Sequence, residues 1–549
     1  MKVILGCLNS KYIHASLAPW CLKAGVDTYC KADTNVIVLE STINSDLDEY
    51  IDVIINEKPD VVCFSCYIWN IEKTLCICKK LKYSLNCKII LGGPEVSYRA
   101  QNVLQNYDFI DFVLSGEGEE SLPKLIDILY FNQDLKNAYG LTYRKNDKLL
   151  QTDEKVYTGT PVSPYTDEFF ENLRGRICYI ETSRGCPYKC AFCLSGRCSP
   201  LRFFDMDIVK ENILKLSNSG TKTVKFVDRT FNANPKRANE ILLFILSNYK
   251  SAIPTGVCFH FEIAGDILTE ETFALLQSAP KGLFQLEIGM QSFNEDTLKT
   301  INRKTNTTRL KENIKRLVSF GNMHIHIDLI AGLTGENMQS FENSFDIGFS
   351  LKPNMLQLGF LKLLYGADMR ENPEKYPCEY SDKPPYEVTS TPWLTAGEIV
   401  KIKKGEDALE RLYNSGKFLY TVEYLLTDCG FTPFKLFMNF GNHVDGTKMP
   451  LSQYALHIFD YFKTRADEDI LKENIVCDMM ESGCSSHIPK SFLIYSPIHK
   501  KIKQYFADGN YKIAIFEKSN KVFVVNQNGD KNLFGRVEGK FYPLENFVQ

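Results

Sequence analysis

The sequence lacks the features of several large classes of protein. Its 64 Lys and Arg residues nearly balance 67 Asp and Glu residues, for a formal net charge of -3 over 549 residues. Nucleic-acid binders usually concentrate positive charge, so we expect no nucleic-acid partner. No apolar run approaches the roughly 20 residues of a membrane-spanning helix, so we expect no membrane association either.

Signals of secretion are also missing. Met1 and Lys2 lead directly into a strand-like apolar segment instead of a charged segment followed by a cleavable apolar one. The 18 cysteines are scattered through apolar segments such as VVCFSCY at 61–67, as is typical of reduced, buried thiols. We therefore expect a cytoplasmic protein without a disulfide framework.

The N-terminal quarter alternates between apolar and helix-compatible segments. Short apolar runs, with helix-compatible stretches between them, occupy 3–5, 36–39, 61–64, 89–91 and 112–114. This alternation predicts a doubly wound, Rossmann-like parallel sheet over 1–135, an α/β fold whose ligands bind at the carboxyl ends of the strands.

The rest of the chain divides into three segments. Residues 136–172 are polar, contain one probable hairpin and are predicted to be a linker. A second alternating series over 173–365 contains six strand signals, which predicts a partial (β/α)6 barrel. Residues 366–549 are predicted to be mostly helical, with a capping box at Thr395 and Glu398 and a β-hairpin near the end.

Three cysteines follow the first predicted barrel strand at C-x3-C-x2-C spacing: Cys186, Cys190 and Cys193. With Cys198 they offer four sulfurs to zinc, but structural zinc sites usually consist of two separated pairs. Three thiolates on one loop suit three corners of a cubic iron–sulfur cluster, whose fourth iron remains open to another ligand.

This stretch, with Phe192 before the last cysteine, resembles the signature of radical S-adenosylmethionine (SAM) enzymes. The resemblance implies that the three cysteines hold a [4Fe-4S] cluster, that its unique iron chelates SAM, and that reductive cleavage yields a 5'-deoxyadenosyl radical. It also implies SAM contacts at Glu262, Gln291 and Ser292, which lie near the ends of predicted strands. A flavodoxin- or ferredoxin-type protein is the expected electron donor.

The N-terminal domain resembles the cobalamin-binding domains found upstream of many radical enzymes. The resemblance rests on the ordered segments SCY (65–67), GGPE (92–95) and GEGE (116–119). It implies contacts to cobalamin from the loops after the first, third, fourth and fifth strands. The implied contact residues are Asn9, Tyr12, His14, Ser65, Gly92, Gly93, Glu117, Gly118 and Glu119.

The region around His14 departs from the usual Asp-x-His-x-x-Gly motif, because neither the Asp nor the Gly is present. We therefore expect His14 to contact the corrin or to pack at a helix start, and less so to bind cobalt from below. Asn9 and Tyr12 share its loop.

Together the two resemblances imply methylation of an unactivated carbon of a small-molecule or peptide substrate, through the adenosyl radical and methylcobalamin. Oxidative cyclisation or rearrangement is the nearest alternative. A methylthiotransferase is a weaker one, suggested by Cys7, Cys30, Cys63 and Cys66, and a cobalamin-carrying or metal-sensing binding protein represents a different class. The sequence identifies no residue that acts directly on substrate.

The C-terminal region resembles an uncharacterised extension of one subgroup of these enzymes. We expect it to act as a lid over the open barrel. Four of its cysteines have wide, irregular spacings, which favours scattered thiols over an auxiliary cluster; these are Cys378, Cys429, Cys477 and Cys484.

Overall fold

The computed structural model describes residues 1–197, 200–444, 449–492, 511–516, 521–526, 531–537 and 540–543. The chain divides into two units, each described here by itself. The first comprises Met1–Glu336 and Phe360–Trp393, and the second comprises Asn337–Gly359 and Leu394–Gln549. Among the described residues, no helix is both long enough and apolar enough to cross a membrane.

The first unit begins with the predicted doubly wound sheet. Its parallel strands are β1 (Lys2–Asn9), β2 (Asn35–Thr42), β3 (Val61–Ser65), β4 (Lys88–Gly92) and β5 (Phe112–Leu114). The helices between and after them are α1 (Ala18–Tyr29), α2 (Leu47–Glu57), α3 (Ile71–Ser84), α4 (Pro94–Ser97), α5 (Ala100–Asn106) and α6 (Gly118–Tyr130). The strand order is β2-β1-β3-β4-β5, so the direction of winding reverses between β1 and β3, where such sheets form a ligand crevice.

The predicted linker contributes to this sheet. Its hairpin, β6 (Leu141–Lys145) and β7 (Lys148–Gln151), pairs antiparallel with β5 and extends the sheet to seven strands. The sheet therefore continues past residue 135, where we predicted the N-terminal domain to end. A period-two apolar pattern in a polar segment identifies a hairpin but not the strand beside which it lies.

Five of the six predicted barrel strands pair in parallel within the first unit, in the order β8-β11-β12-β13-β14. They are β8 (Cys178–Ile180), β11 (Thr223–Phe226), β12 (Cys258–Ile263), β13 (Phe284–Gln291) and β14 (His324–Ala331). The short pair β9 (Ser183–Arg184) and β10 (Arg202–Phe203) flanks the cysteine loop. The helices of this part are α7 (Asp167–Leu173), α8 (Met206–Ser217), α9 (Pro235–Asn248), α10 (Glu270–Ser278), α11 (Glu295–Thr300) and α12 (Thr307–Phe320).

Side-chain caps fix where several barrel helices begin. Asp205, Asn234 and Asn306 each accept backbone N–H groups at the first turns of α8, α9 and α12. Asp205 lies directly behind β10, whereas Asn234 and Asn306 begin their helices after longer connections from β11 and β13.

The second unit contains the sixth predicted strand and most of the helical C-terminal region. It holds α13 (Met338–Ser350) and all of β15 (Met355–Phe360) except its last residue. That residue belongs to the first unit, which also contains α14 (Asp368–Glu371), β16 (Glu379–Tyr380) and β17 (Val388–Ser390). The later helices are α15 (Ala396–Leu409), α16 (Leu419–Thr427), α17 (Pro433–His443), α18 (Leu451–Phe462) and α19 (Glu468–Glu481). The predicted capping box of Thr395 and Glu398 opens α15.

The predicted C-terminal hairpin is part of a larger sheet. Strands β18 (Tyr511–Phe516), β19 (Lys521–Asn526), β20 (Lys531–Val537) and β21 (Lys540–Pro543) form an antiparallel meander. The sequence predicted the first two strands. The later pair contains Gly535 and several charged residues, which obscure the apolar alternation of a strand.

Candidate cofactor sites

A cavity of about 600 Å³ opens at the carboxyl ends of β1, β3 and β4. It lies at the point where the strand order reverses, as expected for a doubly wound sheet. Eight of the nine predicted cobalamin contacts line it: Asn9, His14, Ser65, Gly92, Gly93, Glu117, Gly118 and Glu119. Tyr12 does not line it, and its side chain is 64% exposed. Their role as cobalamin contacts stays a prediction.

One wall of the cavity is bare backbone at Gly92 and Gly93. Gly93 has a φ of +104°, and a Cβ atom there would lie 2.7 Å from the carbonyl oxygen of Cys66. A Cβ atom on Gly92 would lie 3.3 Å from the carbonyl oxygen of Leu114. Only glycine fits Gly93 without strain, and the pair leaves a flat surface that a broad ring system can approach.

Asn9 lines the cavity, and two side-chain hydrogen bonds fix the position of its amide group. Its Nδ2 donates to Glu40 at 2.9 Å, and its Oδ1 accepts from the Ser16 hydroxyl at 2.5 Å. Glu40 also forms an ion pair of 3.0 Å with Arg176, which comes from the segment before β8. Sequence reasoning missed Glu40 and Arg176, because no motif marks a pair that becomes close only on folding.

His14 is tied to the barrel. Its Nδ1 lies 2.6 Å from the hydroxyl of Tyr179 on β8, so one ring nitrogen already has a partner. Burial lowers the pKa of His14, and the positive charges of Lys11 and Lys225 lower it further. The imidazole is therefore neutral at physiological pH. His14 thus lines the cavity with one ring nitrogen bonded to the barrel, and its contact with a corrin stays a prediction.

Glu117 and Glu119 bind arginines of the barrel. Arg184 contacts both carboxylates, at 2.7 Å for Glu119, and Arg202 donates to Glu117 at 2.7 Å. Burial acts to raise the pKa of Glu117, but the hydrogen bonds and charges of Arg202 and Arg184 outweigh it and lower the pKa. These carboxylates, which we predicted to contact cobalamin, bind the two arginines in the structure.

The cysteine triad lies on the loop between β9 and β10, largely without regular secondary structure. Cys190 is buried, and burial raises the pKa of its thiol against the opposing effect of Arg303. Cys186 and Cys193 are half-buried. The fourth sulfur of the zinc alternative, Cys198, lies outside the described residues.

Neighbouring segments hold this loop in place. The N–H of Ala191 donates to the carbonyl of Ile301 at 2.9 Å, and the carbonyl of Ala191 accepts from the N–H of Met369 at 3.0 Å. The side chain of Asn302 donates to the carbonyl of Lys189 at 2.9 Å. Tertiary hydrogen bonds therefore replace the secondary structure that the loop lacks.

Within the described part of the chain, no three His, Cys, Asp or Glu side chains converge tightly enough to ligate one metal ion. This observation does not favour a zinc site formed by the described cysteines alone. Cysteines that bind a cubic cluster each ligate a different iron, so their sulfurs surround the cluster and do not meet at one point. The donor set thus fits a cluster with one open corner.

Ser292 and Gln291, two of the three predicted SAM contacts, lie against other parts of the protein. Ser292 is buried and donates to Glu336 at 2.5 Å. Gln291 has a φ of +69° and folds its amide over Gly289, where a Cβ atom would lie 2.3 Å from Nε2. This close approach explains a glycine at 289, which the sequence alone did not assign to a role.

Glu262, the third predicted SAM contact, belongs to a charged group inside the barrel. Its pKa is raised by burial and by the negative charge of Glu287. Lys225 lies 3.3 Å from Glu287 and 3.8 Å from Glu262, and His260 lies 3.1 Å from Glu287. Burial alone would raise the pKa of Glu287, but His260 and Lys225 lower it to about 2.

Two other metal hypotheses are a second cluster of the methylthiotransferase type and an auxiliary cluster in the C-terminal region. Among the described residues, the cysteines of neither hypothesis converge on one metal site. Cys7, Cys63 and Cys66 are buried, and burial raises the pKa of the Cys7 thiol to about 12. Cys30 donates to Asp127 at 3.2 Å. Of the four cysteines weighed for an auxiliary cluster, Cys378 falls in the first unit and Cys429, Cys477 and Cys484 in the second.

Three family models match successive parts of the chain. The family model described as "B12 binding domain" matches residues 9–126, and that of the radical SAM superfamily matches residues 180–347. A third model, "Protein of unknown function (DUF4080)", matches residues 374–532. The first two matches cover the cavity-bearing sheet and the cysteine loop.

Individual relatives resemble the chain in part. TokK of Streptomyces tokunonensis, a cobalamin-dependent radical SAM methyltransferase, is 25% identical over 302 residues, which are 52% of this chain and 44% of that protein. Among solved structures, the methyltransferase TsrM of Kitasatospora setae has a TM-score of 0.57 at 17% identity, covering 70% of this chain and 78% of that one. The cobalamin-dependent SAM radical enzyme OxsB has a TM-score of 0.61 at 14% identity, covering 92% and 84%.

The chain spans less than half the length of the first curated relatives that it matches, and the likeness to solved structures concerns the fold. The cobalamin-domain and radical SAM matches nevertheless occur in the predicted order, and each contains the motif that predicted it. The chain therefore carries a B12-binding domain, a radical SAM domain and this C-terminal extension, in that order.

Proposed function

We propose that this protein is a cobalamin-dependent radical SAM methyltransferase that acts on an unactivated carbon of a small-molecule or peptide substrate. The observation that carries the proposal is the shared wall of the two candidate sites. Tyr179, Glu181 and Arg184 line the cavity, and Arg184 lies two residues before Cys186. A ligand in this cavity would lie beside the cysteine loop, as a reaction that uses both cofactors requires.

The cavity suits a cobalamin in shape and chemistry. Its volume of about 600 Å³ falls within the usual range for ligand sites, although it is open at one side. Gly92 and Gly93 form a cradle that any side chain would fill. Asn9 and His14, each fixed by a hydrogen bond, add polar groups at defined positions. In this proposal they orient the cofactor rather than bind its metal.

Cys186, Cys190 and Cys193 would hold the iron–sulfur cluster. When bound, the cluster and SAM supply a radical that activates a C–H bond, and cobalamin supplies the methyl group. The task of the chain is to position these groups and to exclude water. Arg303, whose Nη1 lies 3.7 Å from the Cys190 sulfur, places a positive charge beside this ligand position, and burial shields the sulfur from solvent.

Glu262, Gln291 and Ser292 would contact SAM. Glu336 accepts the hydrogen bond of the Ser292 hydroxyl, which fixes the position of that oxygen. Gln291 is held in the left-handed region at the end of β13, so its amide bends back over Gly289. Such strained positions are common at ligand sites, because the surrounding structure over-determines them.

Three further parts of the proposal concern the setting of the reaction. The electron donor is a flavodoxin- or ferredoxin-type protein, and the protein acts in the cytoplasm. The region 366–549 shapes the substrate site as a lid. Oxidative cyclisation remains the alternative outcome for the same two cofactors.

The first test combines cofactor analysis with turnover. The protein is purified anaerobically with iron, sulfide and hydroxocobalamin and is then incubated with SAM and dithionite. We expect about one cobalt per chain, iron that depends on Cys186, and formation of 5'-deoxyadenosine that the C186A variant abolishes. Zinc in place of iron, with no 5'-deoxyadenosine from fully reduced protein, would overturn the proposal. With a substrate in hand, a mass increase of 14 Da marks methylation and a loss of hydrogen marks cyclisation.

A further inference from the structure

A second cavity, of about 580 Å³, lies away from the cofactor pocket. It is a groove formed by the end of α11, the connection to α12 and the first turn of α12. We call it the α11–α12 groove. Its lining includes Lys299, Arg303 and Lys304, against one acidic residue, Glu295, whose carboxylate accepts a hydrogen bond from Thr307.

The cations of this groove are available to a partner. Lys299 and Lys304 are exposed, and neither forms an ion pair within the part of the chain that the structure describes. Lys189, also exposed, lies on the neighbouring cysteine loop, where its carbonyl accepts the hydrogen bond of Asn302. Exposed cations without carboxylate partners attract an acidic surface and raise its rate of association.

The groove is connected to the cysteine loop by direct contacts. Ile301 accepts the backbone hydrogen bond of Ala191, one residue after Cys190. Arg303 lines the groove and also places its Nη1 3.7 Å from the Cys190 sulfur. A single layer of side chains thus separates the surface from a predicted cluster ligand.

The other flank of the loop is directed toward the cofactor pocket. Arg184, two residues before Cys186, lines that pocket, whereas none of the groove residues does. A molecule in the groove would therefore approach the loop from the Cys190 side without entering the pocket. Electron-transfer complexes have small interfaces, and the groove offers a small surface that carries three cations.

We propose that the α11–α12 groove is the docking site of an acidic one-electron carrier protein of the flavodoxin or ferredoxin type. The inference rests on the proposed function, since it requires a cluster on Cys186, Cys190 and Cys193. In each encounter the reduced carrier loses one electron and leaves oxidised by one equivalent, while the cluster gains that electron. Lys299 and Lys304 orient the carrier, and Arg303 lies between it and Cys190.

The test compares two reductants on the same variants. K299E/K304E reverses the charge of the groove. K222E/K281E is the matched control, because Lys222 and Lys281 are exposed residues just before β11 and β13, at the opposite ends of these strands. Formation of 5'-deoxyadenosine is measured with dithionite, which needs no docking site, and with a reduced flavodoxin of strongly acidic pI.

We expect K299E/K304E to keep its rate with dithionite and to lose about tenfold or more with flavodoxin at low salt, a size typical of electrostatic steering. Added salt should slow the flavodoxin reaction of the unmodified protein and narrow its difference from the variant. The control should match the unmodified protein under both reductants. Equal rates with flavodoxin, or equal losses under both reductants, would overturn the docking site.

Binding of oxidised flavodoxin by titration calorimetry gives an independent answer, because it requires no turnover. The unmodified protein and the control should bind, and K299E/K304E should bind at least about tenfold more weakly. Absence of 5'-deoxyadenosine with dithionite in the unmodified protein would contradict the proposed function alone. Unchanged binding by K299E/K304E would contradict the docking site alone.

Discussion

The two candidate cofactor sites of the first unit are built differently. The cavity is formed by the ends of regular strands, and its shape is fixed by backbone at Gly92 and Gly93. The cysteine loop has little regular structure and is held by hydrogen bonds from distant segments such as Ile301 and Met369. The shape of the cavity follows from the backbone of regular strands, whereas the loop depends on support from its surroundings.

The difference shows where each site is vulnerable. A cavity made of backbone is disrupted by added volume, because close-packed atoms have little room to move. A loop that carries cluster ligands is disrupted by loss of a sulfur donor. The residues that support the loop matter because they hold these donors in position. A substitution can therefore impair one site and leave the other intact. The following four tests are ordered from the largest expected effect to the smallest.

The largest effect is expected from removing the triad. C186A/C190A/C193A should lose essentially all cluster iron and all 5'-deoxyadenosine formation while it retains cobalamin, because none of these cysteines lines the cavity. Iron and cobalt are measured on the same sample. C76A, at an exposed cysteine, is the control. Loss of cobalt together with iron would show that the two sites are not separable.

The converse substitution is G93V. A valine at a φ of +104° is strained, and its Cβ would collide with the Cys66 carbonyl, so cobalamin affinity should fall at least about tenfold. Iron content should stay close to normal. G159A is the matched control, since no atom lies within 4 Å of the added Cβ there. Equilibrium titration with hydroxocobalamin measures the effect, and normal affinity would count against the cradle.

E117Q tests the contact between the two sites. Glu117 forms ion pairs with Arg184 and Arg202, one on each flank of the cysteine loop. The neutral amide of glutamine would remove the negative charge that these two arginines share. We expect about 1–3 kcal/mol of destabilisation and lower iron retention, with cobalamin affinity changed less than threefold. E120Q, at an exposed residue paired with Lys155, is the control. If E117Q instead loses cobalamin and keeps iron, Glu117 is a cobalamin contact as first predicted.

The smallest effect is a pH dependence at Asp228. This buried carboxylate accepts hydrogen bonds from Thr182 and Ser183 at the start of the loop, yet burial raises its pKa to about 6. A raised pKa means that the folded state favours the protonated form, so stability falls as pH rises from about 4 through about 6, and only about 1 kcal/mol of that loss lies above pH 5.5.

D228N removes this dependence. The Tm of the unmodified protein minus that of D228N should therefore decrease between pH 5.5 and pH 8, measured on protein prepared without iron. D52N, at an exposed position, should show no such trend. A constant difference across this range would mean that Asp228 does not titrate there.

The sequence predicted the elements well because their signals are local. All five N-terminal strands and all six barrel strands occur where apolar runs indicated them. The ends of β1, β3 and β4 form the cavity because a parallel sheet brings such ends together. The carboxyl-end rule therefore indicated this end of the sheet, and eight of the nine residues that the resemblance implied line the cavity there.

What the sequence did not predict depends on contacts between distant segments. Arg184 and Arg202 carry no motif, and only the fold brings them to Glu117. The same holds for Tyr179 beside His14 and for Glu336 beside Ser292. Tyr12 was placed in the site because it shares the loop of His14, but its side chain points to solvent. Proximity along the chain does not determine the direction of a side chain.

The close packing of Gly25 extends the cavity's requirements to a residue that no ligand would touch. A Cβ atom on Gly25, in the middle of α1, would lie 2.0 Å from the carbonyl oxygen of Glu119 at the start of α6. Any larger residue would displace the first turn of α6, which carries the cavity residues Gly118 and Glu119. In a saturation-mutagenesis screen for cobalamin dependence, position 25 would score like a ligand contact. A screen of this kind thus identifies the backbone that supports a cofactor as readily as the atoms that bind it.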